Sequence, residues 1–355
     1  MYRCIQLALN GKGFVAPNPM VGAVIIYNDK IIGEGFHCRY GEAHAEANAI
    51  ASVTDQSLLK HSTLYVNLEP CSHYGKTPPC SELIISKGIP KVVVGCLDTS
   101  PKVAGKGIRM MQEAGINVQL GILENDCKCL NKRFFTYIQE KRPYIILKWA
   151  QSADGFLDKI REVGTAEKSV YLSDDFTQMM SHKLRAEESA IMVGTRTALL
   201  DNPALTTRLW AGKNPLRIVI DKELKIPPNF HLLDGTVSTL IYTNKITQNK
   251  ENITYKRLDF CKDILPQIRD DLYERKIQSL IVEGGSILLN SFIESGLWDE
   301  AQIETSPVQL KSGILAPVLK ILSLCHQIQS YERSTLQSAR CVGIERRRTQ
   351  CYQGY

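Results

Sequence analysis

Short apolar runs alternate with amphipathic stretches along most of the chain, and this alternation limits the possible folds more than any other feature. The segment 91–96, which is apolar after its first residue, predicts a buried strand. Apolar residues three or four positions apart, as at Ile264, Ile268 and Leu272, predict a helix. Strands that alternate with helices are typical of sheets covered by layers of helices. We therefore predict an α/β protein.

A polar and charged stretch at 139–143 divides this alternation into two series. At 355 residues the chain also exceeds the usual size of one domain. Pro143 opens a new predicted strand at 144–149, so we place the boundary at 142 and predict domains at 1–142 and 143–355. For the segment after about residue 310 we predict no fold.

Composition and charge narrow the class of protein. Hydrophobic residues at 44% and charged residues at 23% are typical of soluble globular proteins. No apolar run approaches the roughly 20 residues that cross a bilayer, so we expect a cytoplasmic protein without a membrane partner. The net charge of +6 is modest and its cations are spread along the chain, whereas phosphate-tracking surfaces need clustered cations. We expect a small-molecule substrate, no nucleic-acid partner, and a homo-oligomer.

One histidine, one glutamate and two cysteines form the motif with the most specific chemistry. A catalytic zinc ion takes three protein ligands and leaves its fourth position to water, and an imidazole with two thiolates suits this ion. We predict His44, Cys71 and Cys80 as the ligands. Glu46, two residues after the ligand histidine, is predicted to relay protons to a leaving amine. This combination is a described signature of nucleobase deaminases and predicts a zinc-dependent deaminase.

The spacing of the two cysteines is wider than in most deaminases. Nucleoside and RNA deaminases usually place two residues between them, whereas residues 72–79 separate this pair. This loop, with segments 16–22 and 33–37, resembles the deaminase half of a bifunctional family of riboflavin biosynthesis, the diaminohydroxyphosphoribosylaminopyrimidine deaminase/reductases. The resemblance implies a cytidine-deaminase-like three-layer α/β/α domain in which Asn18, His37 and Lys76 contact the substrate.

Elementary chemistry supports parts of that assignment and leaves alternatives open. The amide of Asn18 can bind the edge of a pyrimidine through two hydrogen bonds, and the ammonium of Lys76 can meet a phosphate. Asn18 could also be a turn residue between two prolines. His37 could be a packed or surface histidine.

Four segments of the second half, 147–155, 184–186, 194–208 and 282–285, resemble the reductase half of the same family. The resemblance implies a dihydrofolate-reductase-like α/β domain that uses NADPH to reduce a ribosyl group to a ribityl group. It implies cofactor contacts by Ala150, Tyr171, Thr197, Asp201 and Ser286. It implies substrate contacts by Ser169, Arg185, Leu205, Arg208 and Glu283.

Physical reasoning reaches some of the same residues. Gly285 and Ser286 join a predicted strand to a predicted helix, where a phosphate can approach free backbone amides, although a plain structural turn is the alternative. Arg185 and Arg208 can each bind a phosphate through two hydrogen bonds, although surface ion pairs are the alternative. Thr197 and Asp201 could be helix-capping and turn residues. The Gly-x-Gly-x-x-Gly fingerprint of a Rossmann domain is missing.

The leading hypothesis is a bifunctional enzyme of riboflavin biosynthesis with zinc and NADPH as cofactors. It would deaminate 2,5-diamino-6-(5-phosphoribosylamino)pyrimidin-4(3H)-one by hydrolysis and then reduce the ribosyl side chain. One rival is a tRNA or nucleoside deaminase with an unrelated second domain, against which the wide cysteine spacing and the dispersed charge count. The other is a non-catalytic protein with a structural zinc site. Glu46 counts against it, because structural sites close with a fourth ligand.

Overall fold

The computed structural model describes residues 1–74, 78–100 and 104–319, together with the backbone of two strands at 327–331 and 334–340. The chain divides into two compact units at the bond between Lys141 and Arg142. Within the described ranges, no helix combines the length and the apolar character that a bilayer span requires.

The first unit is built on a five-stranded sheet. Its strands β1 to β5 are Gly22–Tyr27, Lys30–Phe36, Thr63–Leu68, Lys91–Cys96 and Asn117–Leu120. Its helices α1 to α6 are Tyr2–Leu9, Ala45–Ser52, Cys80–Ser86, Lys106–Glu113, Glu124–Leu130 and Lys132–Glu140. The strand order is β2-β1-β3-β4-β5, with β1 antiparallel to both neighbours and β3, β4 and β5 parallel.

Helices cover both faces of this sheet. Because successive side chains of a strand point to opposite faces, Ala23 and Ile25 of β1 pack in the core that includes α2, α3 and α4, whereas Val24 packs against α1. Gly35 of β2 allows α2 to come close, since a Cβ atom there would lie 2.3 Å from the backbone nitrogen of Ala49. The predicted three-layer α/β/α arrangement is confirmed.

The second unit is built on a nine-stranded sheet. Its strands β6 to β13 are Tyr144–Gln151, Phe156–Asp158, Ala190–Gly194, Leu216–Ile220, Thr239–Thr243, Ile253–Arg257, Ser279–Glu283 and Glu300–Thr305. Strands β14 to β16 are Ile314–Leu315, Gln327–Tyr331 and Ser334–Arg340. Its helices α7 to α10 are Asp175–Glu187, Thr195–Asp201, Ile264–Glu274 and Ser286–Glu294.

The order of the large sheet is β11-β10-β9-β8-β12-β6-β13-β16-β15. All neighbours from β11 to β13 are parallel, and β16 is antiparallel to both β13 and β15. Strands β7 and β14 form a separate two-stranded sheet. The segment for which the sequence predicted no fold therefore includes the two strands that follow β13 in the sheet.

Both faces of this sheet are also buried. Ile145 and Leu147 of β6 pack in the core that includes α9 and α10, whereas Tyr144 and Ile146 pack with residues of α7 and α8. A strand buried on both faces has a continuous apolar sequence, and this explains the run at 144–147. The second unit is therefore also an α/β domain, as predicted.

Candidate functional site

Three potential metal ligands meet near the carboxyl end of β3, the central strand of the first sheet. His44 caps the N-terminus of α2, Cys71 lies in the loop after β3, and Cys80 is the first residue of α3. Their donor atoms all lie within 4.8 Å of one another. Nδ1 of His44 is 3.5 Å from Sγ of Cys71 and 3.4 Å from Sγ of Cys80. The residues that the sequence predicted as ligands therefore converge on one point.

The donor set fits a zinc ion. Zinc–sulfur bonds of about 2.3 Å and zinc–nitrogen bonds of about 2.0 Å in a tetrahedral site separate nitrogen from sulfur by about 3.5 Å, as found for both pairs. The backbone N–H of Cys80 also donates to Sγ of Cys71 at 3.3 Å. Hydrogen bonds from the Cys80 thiol and from His44 lower the pKa of Cys71. Cys71 is therefore readily available as a thiolate, which is the form that binds metal.

Glu46 lies in the first turn of α2, two residues after His44. Its side chain is buried, with 3% exposure. Burial raises the pKa of Glu46 to about 7, and the negative charge of Cys71 acts in the same direction. A carboxyl group with a pKa near neutrality can both accept and release a proton, which is the property that a proton relay needs.

Asn18 and His37 form a hydrogen-bonded pair beside the three ligands. Nδ1 of His37 donates to the carbonyl oxygen of Ala43 at 3.0 Å, and Nε2 accepts from Nδ2 of Asn18 at 3.1 Å. The ring stands edge-on to that of His44, with 5.4 Å between centroids. Burial lowers the pKa of His37, so its ring is neutral. Both ring nitrogens have partners within the protein, so His37 orients the Asn18 amide. Lys76 lies outside the described residues.

A cavity of about 1090 Å³ lies in the second unit. It is located at the carboxyl ends of β6, β8, β9 and β12, where open α/β sheets commonly bind ligands. The structure brings six of the predicted residues to its wall, from separate parts of the chain. They are Ala150, Ser169, Thr197, Asp201, Gly285 and Ser286.

The N-terminus of α10 opens onto this cavity. Gly284 has a φ of 122°, which favours glycine, and the backbone N–H of Gly285 donates to Oγ1 of Thr197 at 2.9 Å. The helix N-terminus can bind an anion such as a cofactor phosphate. Asp201 instead accepts from Arg161 at 2.6 Å, and Arg161 also pairs with Asp158. Thr197 and Asp201 therefore hold parts of the wall in place.

The other predicted residues of this unit are not among those that line the cavity, as far as the structure describes them: Tyr171, Arg185, Leu205, Arg208 and Glu283. Tyr171 is 67% exposed. Glu283 accepts from Arg185 at 2.9 Å and pairs with Lys148 at 3.2 Å. Lys148, Arg185 and Glu283 thus form one group of ion pairs. The sequence did not predict Lys148, although a lysine inside a buried strand was a signal that could have indicated it.

We expect Glu283→Gln to lower the free energy of unfolding of the second unit by about 3 kcal/mol at pH 7, because the cations of a buried ion pair would lose their partner. Burial raises the pKa of Glu283, but the charges of Arg185 and Lys148 outweigh it and lower the pKa to about 2. The stabilisation is therefore present above about pH 4.5 and is lost as the pH falls toward 2.

Denaturant unfolding of the wild type and the variant between pH 7 and pH 3 measures this difference. Glu274→Gln, at the exposed end of α9, is the control. A difference between wild type and Glu283→Gln that stays constant with pH would contradict the expectation.

Comparison with known proteins agrees with both halves of the chain. Residues 1–96 match the family model of the cytidine and deoxycytidylate deaminase zinc-binding region. Residues 143–312 match that of the RibD C-terminal domain. The first match includes every predicted residue of the zinc site and its surroundings, and the second includes every predicted residue of the reductase site.

Relatives match across both units. The riboflavin biosynthesis protein RibD of Aquifex aeolicus is 37% identical over 91% of this chain and 90% of its own length. That of Bacillus amyloliquefaciens is 40% identical over 90% of this chain and 86% of its own length. The crystal structure of a diaminohydroxyphosphoribosylaminopyrimidine deaminase/5-amino-6-(5-phosphoribosylamino)uracil reductase from Thermotoga maritima has a TM-score of 0.86 and 34% identity, covering 96% of this chain and 97% of the other. The chain belongs to the RibD family, the bifunctional zinc-dependent deaminases and NADPH-dependent reductases of riboflavin biosynthesis.

Proposed function

We propose that the first unit deaminates 2,5-diamino-6-(5-phosphoribosylamino)pyrimidin-4(3H)-one and that the second reduces the ribosyl chain of the product to ribityl. The strongest support is the presence, in one chain, of a three-donor metal site with a buried carboxyl group and of a separate cavity at the carboxyl ends of a parallel sheet. The similar protein from Thermotoga maritima is named for the same pair of activities.

In the first unit, we propose that His44, Cys71 and Cys80 hold zinc, which as a Lewis acid makes water more acidic. Glu46 takes a proton as the water oxygen attacks the ring carbon that carries the amine. It then delivers a proton to the nitrogen, the carbon–nitrogen bond breaks, and ammonia leaves.

Two further groups would orient the substrate in this unit. Asn18, held by His37, contacts the edge of the ring. Lys76 meets the substrate phosphate.

In the second unit, we propose that the cavity binds NADPH, which supplies the hydride. The N-terminus of α10, with Gly285 and Ser286, receives cofactor phosphate. The remaining cofactor contacts are Ala150, Tyr171, Thr197 and Asp201. Substrate contacts are made by Ser169, Arg185, Leu205, Arg208 and Glu283.

The test is incubation of the zinc-loaded protein with the diaminopyrimidine phosphate, with and without NADPH, and identification of the products by mass. Without NADPH we expect the amine to be replaced by oxygen. With NADPH we expect the same product carrying added hydrogen. Unchanged substrate under both conditions would refute the proposal.

A tRNA or nucleoside deaminase is the rival function, and the family membership does not favour it. Deamination of tRNA or free cytidine at the rate found with the phosphoribosyl substrate would support the rival.

We also propose a cytoplasmic homo-oligomer without bound nucleic acid, since phosphorylated intermediates and NADPH are available in the cytoplasm. Exposed apolar side chains such as Ile160 fit an assembly. Light scattering of the purified protein measures the mass of the assembly.

A further inference from the structure

One buried histidine of the second unit has no role in the reactions described above. His182 lies on α7, one turn before Arg185, and is 5% exposed. Its Nδ1 accepts a hydrogen bond of 2.8 Å from the backbone N–H of Arg208. His182 therefore joins α7 to the residue that the family resemblance assigns to the substrate.

The imidazole of His182 is uncharged at neutral pH. Burial lowers its pKa, and the positive charges of Arg185 and Arg208 lower it further, to about 4. In the neutral ring only one nitrogen carries a proton. Since Nδ1 accepts from Arg208, that proton is on Nε2. The cations around His182 thus keep the Nδ1 lone pair free to accept.

The loop between α8 and β9, which contains Arg208, is held against α7 at more than one point. Arg185 donates from Nη1 to the carbonyl oxygen of Thr206 at 3.4 Å. Leu205 is buried and has a φ of 51°, a backbone conformation that few non-glycine residues adopt. Within the loop, Nη1 of Arg208 donates to Oγ1 of Thr206 at 2.8 Å. His182 therefore secures Arg208 within a loop that other contacts already hold in shape.

We propose that His182 is a positioning residue for substrate binding in the second unit. It fixes the backbone of Arg208 so that the guanidinium groups of Arg208 and Arg185 can bind the substrate phosphate together. This inference rests on the proposed function, which assigns those two arginines to the phosphoribosyl substrate. Loss of the hydrogen bond from Arg208 to His182 would weaken substrate binding and would not affect hydride transfer. We therefore expect it to raise KM and to leave kcat unchanged.

Two substitutions of His182 separate the hydrogen bond from mere packing. Asparagine places its Oδ1 near the position of Nδ1 and can still accept from Arg208, whereas leucine fills the space without an acceptor. We expect His182→Leu to raise the KM for the deaminated phosphoribosyl substrate about tenfold, with kcat changed less than about twofold. We expect His182→Asn to stay close to wild type. Equal losses in both variants would overturn the proposal.

A double-substitution cycle tests whether His182 acts through Arg208. Arg208→Ala alone raises KM, and adding His182→Leu to it should change nothing more, because the positioned group is already absent. A double variant whose KM rises by the product of the two single effects would overturn the proposal. Deamination by the first unit is measured throughout as a control for intact protein.

Amide hydrogen exchange provides a readout that does not depend on activity. Peptides that span 205–208 should exchange faster in His182→Leu and at the wild-type rate in His182→Asn. Unchanged exchange in the leucine variant would overturn the positioning role. If the wild-type protein failed to reduce the substrate, the proposed function would fail, while the exchange data would still decide whether His182 secures the loop.

Discussion

Glu46→Gln is expected to bind zinc with wild-type stoichiometry and to deaminate about 10³-fold more slowly. Glutamine keeps nearly the same shape in the first turn of α2 but cannot accept and release the proton that passes from water to the amine. The three ligands do not include Glu46, so the metal stays bound. Metal analysis, together with the initial rate of ammonia release, measures both parts of the expectation.

The matched control for this variant is Glu113→Gln, which makes the same chemical change at an exposed position of α4. It should keep full activity. NADPH oxidation with the deaminated substrate should be equal in all three proteins, because Glu46 lies in the first unit. Intact zinc with unimpaired deamination in Glu46→Gln would rule out the relay.

Gly284→Ala is expected to lower kcat/KM for NADPH by roughly tenfold to a hundredfold and to leave deamination unchanged. Gly284 has a φ of 122°, which an L-residue rarely adopts. A Cβ atom there would lie 2.9 Å from Oγ1 of Thr197, the atom that accepts from the N–H of Gly285. Either the start of α10 or the Thr197 side chain that anchors it must therefore shift, and both form the wall of the cavity.

Gly296→Ala provides a matched control just beyond the other end of α10. Gly296 also has a positive φ, of 68°, but a Cβ atom there meets nothing within 4 Å. Alanine at position 296 strains the backbone but does not displace the wall of the cavity. We therefore expect this variant to reduce the substrate at close to the wild-type rate. If Gly284→Ala and Gly296→Ala lost activity equally, general destabilisation would explain both, and the role of the α10 N-terminus would be wrong.

The sequence predicted those parts of the fold that local patterns encode. Strand β4 has the predicted bounds because its apolar run ends where a turn begins. The short helices α5 and α8 were not predicted, since seven residues show too few turns for a clear period. Strand β16 was not predicted either, because its place depends on β13, a distant segment of the chain.

The candidate sites show the same limit. His44, Cys71 and Cys80 were predicted because zinc chemistry restricts which residue types can bind it, whatever the fold around them. Lys148 and His182 were not predicted, because their roles depend on contacts with residues that are distant in the sequence. Lys148 meets Glu283 because β6 and β12 are adjacent in the sheet, and their order cannot be read from local periodicity.

The close contact between β2 and α2 makes the metal site sensitive to substitution of Gly35. A side chain on Gly35 would press on the backbone of Ala49 and, at 2.7 Å, on the carbonyl oxygen of Ala45, the residue after His44. Any substitution at Gly35 thus displaces the helix that carries one metal ligand and the proton relay. Gly35 therefore affects the geometry of the metal site, although it is neither a ligand nor a neighbour of one in the sequence.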